Sequence, residues 1–444
     1  MSKLTIKPKS YKAFTTRNID TIPQFEALPS EIHDAIQVVS RVMPFRANNY
    51  VTDELIDWSN PEADPIFKLV FPQKGMMAVD DYDALAAKCA AGEPEAALRA
   101  AARNIQLKMN PHPAGQMELN VPKCDLGQSI NGIQHKYKET VLFFPTQGQV
   151  CHAYCTYCFR WAQFVGVDDL KFACGDPQAL VDYLNAHPEV TNVLFTGGDP
   201  LIMTSKILRR YVEPLLTQRP GNVRSIRFGT KVLAYWPYRF LTDKDADDVM
   251  ALFDEIIAAG FHLAIMSHFS HSRELETDAV QAAISRILST GANIRCQAPL
   301  IRHINDDPEV WRAMWEKQVS LGAIPYYMFV ERDTGPKEYF SVPLAEAYQI
   351  FTEAYSKVSG LARTVRGPSM SATPGKVLVD GIAEVGGQKL LALKFIQARD
   401  PEWVNKLFFA EYDEKAVWLD GLKPAFGEQR FFFEKAGLSS LRIA

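Results

Sequence analysis

The sequence predicts an α/β fold, a partial (β/α)6-type parallel barrel with an N-terminal helical region and a small strand-rich C-terminal appendage. Three observations carry that expectation. Short apolar runs of strand length alternate with amphipathic stretches of helical period from residue 140 to about 330. The links between them are short, and alternation of this kind means parallel strands with covering helices. The pattern differs on either side, helical before and strand-rich and aromatic after. The expected units are therefore 1–110, 111–385 and 386–444.

Within the first unit, residues 30–43 place Ile32, Ala35, Ile36, Val39, Val42 and Met43 at helical spacing, giving one buried face. Residues 84–102 are alanine-rich and helical in pattern. The polar, proline-bearing stretch 109–123 reads as a connector. In the second unit a strand is expected over 141–144. Asp176 then caps a helix with Pro177 in its first turn, Leu180, Tyr183 and Leu184 share its face, and Pro188 stops it. Strands at 193–195 and 225–228 follow. A helix over 245–259 buries Val249, Leu252, Phe253 and Ile256 and closes on Gly260. Strand 262–266, helix 279–289, strand 294–300, helix 308–320 and strand 326–330 continue the series. Chemistry in such an architecture belongs at the C-terminal ends of the strands. In the last unit, 390–396, 406–411, 416–419 and 430–434 read as strands.

Composition narrows the partners. A formal net charge of −4 over 444 residues gives no polyanion signal, so nucleic acid is not expected. No apolar run approaches the roughly 18 residues needed to span a bilayer. The opening Met-Ser-Lys-Leu-Thr-Ile-Lys-Pro-Lys lacks the apolar core of a signal peptide. Cys89, Cys124, Cys174 and Cys296 are scattered, without disulfide or metal spacing. A reducing, cytoplasmic setting is expected.

The remaining cysteines are clustered. Cys151, Cys155 and Cys158 form a C-x3-C-x2-C triplet directly after the strand at 141–144. Three thiolates on a [4Fe–4S] core leave one iron without a protein ligand. The competing readings are three core thiols, or three quarters of a zinc site, although zinc favours paired C-x2-C units. Gly197-Gly198-Asp199-Pro200 follows the next strand, where glycines admit close backbone approach. His268 and His271 form H-x2-H at a strand end and are expected to pack or hydrogen-bond rather than bind zinc. Trp161 and Phe431–Phe433 read as packing or subunit contacts.

The triplet resembles the cluster motif of radical SAM enzymes, in which S-adenosylmethionine chelates the open iron. From about residue 60 to 395 the chain resembles the lysine 2,3-aminomutase family. The resemblance runs through Asp64-Pro65-Ile66, Phe71-Pro72-Gln73, His135-Lys136-Tyr137, the cysteine loop, Leu194-Phe195-Thr196-Gly197-Gly198-Asp199 and Ser267-His268-Phe269-Ser270-His271. It continues through Gln297, Ile304-Asn305-Asp306, Pro325-Tyr326-Tyr327, Val365-Arg366-Gly367 and Val379-Asp380.

It implies that Gly197, Gly198 and Asp199 hold the amino group of S-adenosylmethionine. It also implies pyridoxal 5′-phosphate as an imine carrying the migrating amino group. The lysine for that cofactor would be Lys389, after Gly386-Gly387, with Lys376 in Pro374-Gly375-Lys376 as second candidate. Tyr137 and Gln297 match cofactor-binding positions. Lys136 and Thr140 stand where the family carries phosphate-binding arginines, and threonine offers only a neutral hydroxyl. Arg160 matches the arginine for the substrate α-carboxylate.

Asp380 matches one of two aspartates that grip a distal ammonium. The second falls within Glu331-Arg332-Asp333. Arg332 in that place would favour a glutamate-like substrate, and Asp333 a lysine-like one. The zinc-binding C-terminal cysteines of some members are absent. The implied activity is an amino acid 2,3-aminomutation of a small amino acid substrate, a radical SAM isomerase reaction. Such an enzyme needs an electron donor such as a flavodoxin or ferredoxin, and a homo-oligomer is implied. A cofactor-free radical reaction, modification of a lysine on a partner protein, and a non-enzymatic iron–sulfur role stand as alternatives.

Overall fold

The computed structural model describes residues 6–123, 128–167 and 170–434, which leaves Cys124 and the first five residues outside. The N-terminal region carries one small antiparallel pair, β1 (Ala13–Phe14) with β2 (Ala47–Asn48), among short helices. All other strands among the described residues belong to one sheet. They are β3 (Ile133–Tyr137), β4 (Thr140–Phe143), β5 (Asn192–Phe195), β6 (Ser225–Thr230), β7 (His262–His268), β8 (Asn293–Leu300) and β9 (Ile324–Val330). β10 (Arg366–Ser371), β11 (Gly375–Val385), β12 (Gln388–Ala398) and β13 (Leu407–Glu411) complete it.

Strand order follows chain order from β3 to β13. The run β4 to β10 is parallel, and β3 and β11–β13 flank it antiparallel. Each parallel crossover carries a helix: Pro177–Ala186, Ser205–Gln218, Ala246–Ala258, Asp278–Ser289, Pro308–Ser320 and Leu344–Ser356. The outer strands β3 and β13 do not pair, so the sheet stays open. It nevertheless curls strongly: Lys136 of β3 donates to the carbonyl of Ala372, between β10 and β11.

Parallel strands covered on both faces ordinarily read as unbroken apolar runs. These do not. Along β6 and β8 buried positions alternate with half-buried ones. Ile226 and Phe228 turn outward, with Phe228 stacked on Phe253 of a covering helix at 5.9 Å, while Arg227 and Gln297 face the inside of the curl. The inner face is polar because it lines a cavity.

Four expectations change. The stretch 84–102 is two helices, Val79–Ala90 and Glu95–Lys108, broken where Gly92 takes φ +67° and Pro94 follows. Residues 416–419 and 430–434 are not strands; they lead into 3-10 turns at Leu419–Gly421 and Phe432–Glu434. Their aromatics are spent on packing, Phe431 and Phe433 lying 5.5 and 5.6 Å from Phe408. The expected boundary at 385/386 is the tip of the β11–β12 hairpin. The strand-rich end therefore continues the sheet, although Val377, Leu391, Phe395 and Trp403 give it a second apolar core. Among the described residues no helix is long and apolar enough to cross a membrane.

Candidate active site

The cysteine loop leaves the C-terminal end of β4 and is fastened from the N-terminal region. Tyr11 donates its hydroxyl proton to the His152 carbonyl at 2.8 Å, and the Asn48 amide donates to the same carbonyl at 3.1 Å. Tyr154 N–H donates to Arg46 at 2.8 Å and Thr156 N–H to Leu69 at 2.9 Å. The Thr156 hydroxyl donates to Lys68 at 2.7 Å. These bonds satisfy a loop that has no ladder of its own.

From the other side comes the glycine turn after β5. Asp199 N–H lies 2.9 Å from the Gly148 carbonyl and 3.0 Å from that of Val150. A Cβ on Gly198 would sit 2.4 Å from Val150 N, so only glycine lets the two loops touch. The Asp199 carboxylate is turned inward. It accepts from the Thr230 hydroxyl at 2.8 Å, Lys231 N–H at 2.7 Å and Leu201 N–H at 3.0 Å. Burial pushes it up to about 6 despite those donors. Its visible work is to lock the glycine turn to the end of β6.

Cys151, Cys155 and Cys158 line one cavity with Gly197 and Gly198. Burial and the neighbouring Cys155 thiol push Cys158 up to about 12, and burial also raises Cys151 and Cys155. Unaided, the site disfavours three thiolates; several bound iron cations would supply the missing positive charge. Among the described residues no three Cys, His, Asp or Glu side chains converge as ligands of a single ion. The three thiols line one cavity, and Cys151, Cys155 and Cys158 would hold the cluster there.

A second cavity adjoins the first inside the curl, and Arg160 and Gln297 line both. It contains Lys136, Arg160, Arg227, Arg332 and Lys376, with no Asp or Glu in its lining. The Arg160 guanidinium lies 4.3 Å from the Phe144 ring centre and keeps a buried Nη1 without a partner. Burial, then Arg332, brings it down to about 9. Arg332 lies 4.5 Å over Phe159, and burial lowers it to about 10. Lys376 Nζ sits 4.2 Å over Tyr327. Burial, with Arg366, Arg227 and Arg332, lowers that amine to about 7. Tyr137 lines the same space.

Two residues singled out by sequence lie elsewhere. Lys389 is exposed beside the hairpin tip, 3.6 Å over Tyr412, because Gly386 and Gly387 at φ +58° and +76° make a two-residue turn. Lys376, the second candidate, takes its place in the cavity. Asp380 is exposed and pairs with Lys394 at 2.9 Å. Arg332 lines the cavity, whereas Asp333 turns away to Lys337 at 2.6 Å. His268 meets Tyr157 at 2.9 Å, while His271 Nδ1 accepts from Arg273 N–H at 3.2 Å, so the H-x2-H pair diverges. Sequence reasoning did not single out Arg227 or Lys231, which line the two cavities. The signal for Arg227 was an arginine at an alternate position of a central parallel strand.

A cysteine triplet after the first parallel strand, closed by a glycine turn from the second, defines an enzyme of the radical SAM class, whose cofactors are a [4Fe–4S] cluster and S-adenosylmethionine. No family model matches the chain. A protein of Aquifex aeolicus carrying the provisional name L-lysine 2,3-aminomutase is 31% identical over 395 residues, 89% of this chain and 92% of its own. The L-lysine 2,3-aminomutase of Escherichia coli is 27% identical over 245 residues, 54% of this chain and 67% of its own. A glutamate 2,3-aminomutase of Clostridioides difficile is 26% identical over 252 residues, 56% and 54% of the two chains. A solved radical SAM methyltransferase from Sphaerobacter thermophilus aligns with 65% of this chain and 95% of its own at 15% identity. Its TM-score of 0.38 is too low to bear on fold or function. The chain belongs to the lysine 2,3-aminomutase family, and it is an isomerase of the aminomutase kind.

Proposed function

We propose that this enzyme moves the α-amino group of an amino acid with an acidic side chain to its β-carbon. The observation that carries the reading is a buried cavity with five cationic side chains and no acid, sharing Arg160 with the cysteine cavity. A distal ammonium in that space would face like charge. An unpaired buried charge of that kind costs about 3–5 kcal/mol. A second carboxylate would be welcomed.

In this reading Cys151, Cys155 and Cys158 hold the cluster, and the Gly197-Gly198 turn, locked by Asp199, lies against the methionine end of S-adenosylmethionine. Arg160 offers its unpartnered Nη1 to the substrate α-carboxylate. Arg332, one ring away across Phe159, takes the side-chain carboxylate. Lys376 is the attachment point for pyridoxal phosphate, and its lowered amine is neutral for much of the time near pH 7. Tyr137 and Gln297 line the space around it. When bound, the cluster and S-adenosylmethionine supply a radical able to take hydrogen from the β-carbon, and pyridoxal phosphate supplies a π-system that spreads the unpaired electron.

The curl of β4–β9 with their six helices is read as a partial (β/α)6-type barrel, which puts the cysteine loop and Arg332 at strand C-termini. A flavodoxin- or ferredoxin-like donor, a cytoplasmic setting and a homo-oligomer accompany the reading. Glu331 favours a second substrate class. It is buried in an adjoining wall with both carboxyl oxygens unpartnered, which suits an amino acid whose side chain donates hydrogen bonds.

The test uses anaerobic protein supplied with iron, sulfide, S-adenosylmethionine and pyridoxal phosphate. Borohydride reduction and peptide mapping are expected to label Lys376 and leave Lys389 unlabelled. Glutamate or aspartate is expected to give the β-amino isomer faster than lysine. S-adenosylmethionine cleavage without any label would overturn the aminomutase mechanism. Preferential turnover of lysine would overturn the acidic substrate and promote Glu331.

A further inference from the structure

We propose that Arg227 binds the phosphate group of the cofactor carried by Lys376; the inference rests on the proposed role of that lysine. β6 sets Arg227 on the inner face of the sheet, because Ile226 and Phe228 on either side of it are buried against the helical layer. Its guanidinium is held at one end only. Nη2 donates to Asn192 Oδ1 at 2.5 Å, and the Asn192 amide donates in turn to the Thr140 hydroxyl at 2.9 Å. Nε is buried and has no partner.

Nε and Nη2 share one edge of the guanidinium, and with Nη2 engaged the Nε–H beside it is left as a buried donor in need of an acceptor, since buried donors without acceptors are costly. No carboxylate in the cavity lining is available to supply one.

Position selects the kind of anion. Arg160 and Arg332 sit on loops beyond the C-terminal ends of β4 and β9, where the substrate carboxylates are assigned. Arg227 is the third residue of β6, paired in register with Leu194 and Ala264, and lies deeper in the curl. Lys376 Nζ lies over Tyr327 in the same cavity, and Arg366, Arg227 and Arg332 are all near enough to add to the burial that depresses its amine. A ligand attached there has one anionic end left to place, and a phosphate oxygen can accept the open Arg227 Nε–H in a charge-assisted bond. Asn192 thus brings in from β6 a cation beside Thr140, whose own side chain carries no charge.

The experiment compares two aldehydes on the full enzyme with its cluster in place: pyridoxal phosphate, and pyridoxal without the phosphate. Each is titrated, trapped with borohydride and read as label on Lys376. Arg227→Gln is expected to raise the half-saturating concentration of pyridoxal phosphate about 10- to 100-fold, the worth of a charge-assisted bond. The pyridoxal titration is expected to stay within about twofold. Arg227→Lys, which keeps the charge and loses the fork, is expected to fall between. Unchanged iron per chain in both variants shows that the fold is retained. An equal shift for both aldehydes, or no shift for either, would overturn the assignment of Arg227 alone. No label from either aldehyde on unsubstituted protein would overturn the cofactor reading at Lys376, and this inference with it.

Discussion

The two adjoining cavities are built by opposite means. Around Cys151, Cys155 and Cys158 the chain uses backbone: carbonyls at 46, 68 and 69 accept from the loop, and the His152 carbonyl accepts from Tyr11 and Asn48. Inside the curl it uses charge, with Lys136, Arg160, Arg227, Arg332 and Lys376 drawn from five different segments. The first arrangement fixes geometry and leaves charge to be supplied by bound iron. The second oversupplies positive charge. One site calls for positive charge from its ligand, the other for negative.

That contrast can be broken most sharply at the thiols. Cys155→Ser is expected to abolish cluster-dependent S-adenosylmethionine cleavage, followed as 5′-deoxyadenosine, while Lys376 still takes the borohydride label. Loss of both together would mean that the cavities are not separable. Next in size is Arg332→Asp, which reverses the charge facing the distal end of the substrate. It is expected to cost an acidic substrate two to three orders of magnitude in kcat/KM, from about 3–5 kcal/mol of unpaired charge, and to raise the relative rate with lysine. An unchanged substrate preference would remove Arg332 from the site.

A pH series sharpens the electrostatic side. Lys376 is brought down to about 7 by burial and three arginines, so its amine loses its proton as pH rises through that value. The labelling rate should climb between about pH 6 and 8 and then level, as a group with a lowered lysine value requires. A rise that continues to pH 10 would contradict the burial of this lysine. The smallest effect is expected on the backbone side. Thr156→Val removes the hydroxyl bond to Lys68 and should lower stability by about 1 kcal/mol, read as a shift in the denaturant midpoint. Iron content should fall slightly, and the Lys376 label not at all.

The cysteine side was legible in sequence because its information is local: three thiols in eight residues, one strand upstream, one glycine turn after the next. Helix 308–320 was legible to the residue, since Asp307 caps it and Gly322 follows its end. Helix Ser205–Gln218 was not, for Pro214 inside it is ordinarily a stop signal. The cationic side was legible only in pieces. Arg160 and Arg332 came from motif positions, but Arg227 belongs to no motif and enters by strand alternation. Lys389 illustrates the limit of local reading. Gly386-Gly387 followed by lysine resembled a binding motif, yet alternation on both sides marks a hairpin turn. Folding exposes that lysine and leaves Lys376 to enter the cavity from the shorter Pro374-Gly375 turn.

The fastening of the cysteine loop has a consequence for the order in which the protein is made. Tyr11, Arg46, Asn48, Lys68 and Leu69 all leave the ribosome before residue 151. In a chain that folds from its N-terminus, the dock is therefore waiting when the loop arrives. A deletion of the first 70 residues would spare the three clustered thiols and the five cavity cations, and would release a loop with nowhere to rest.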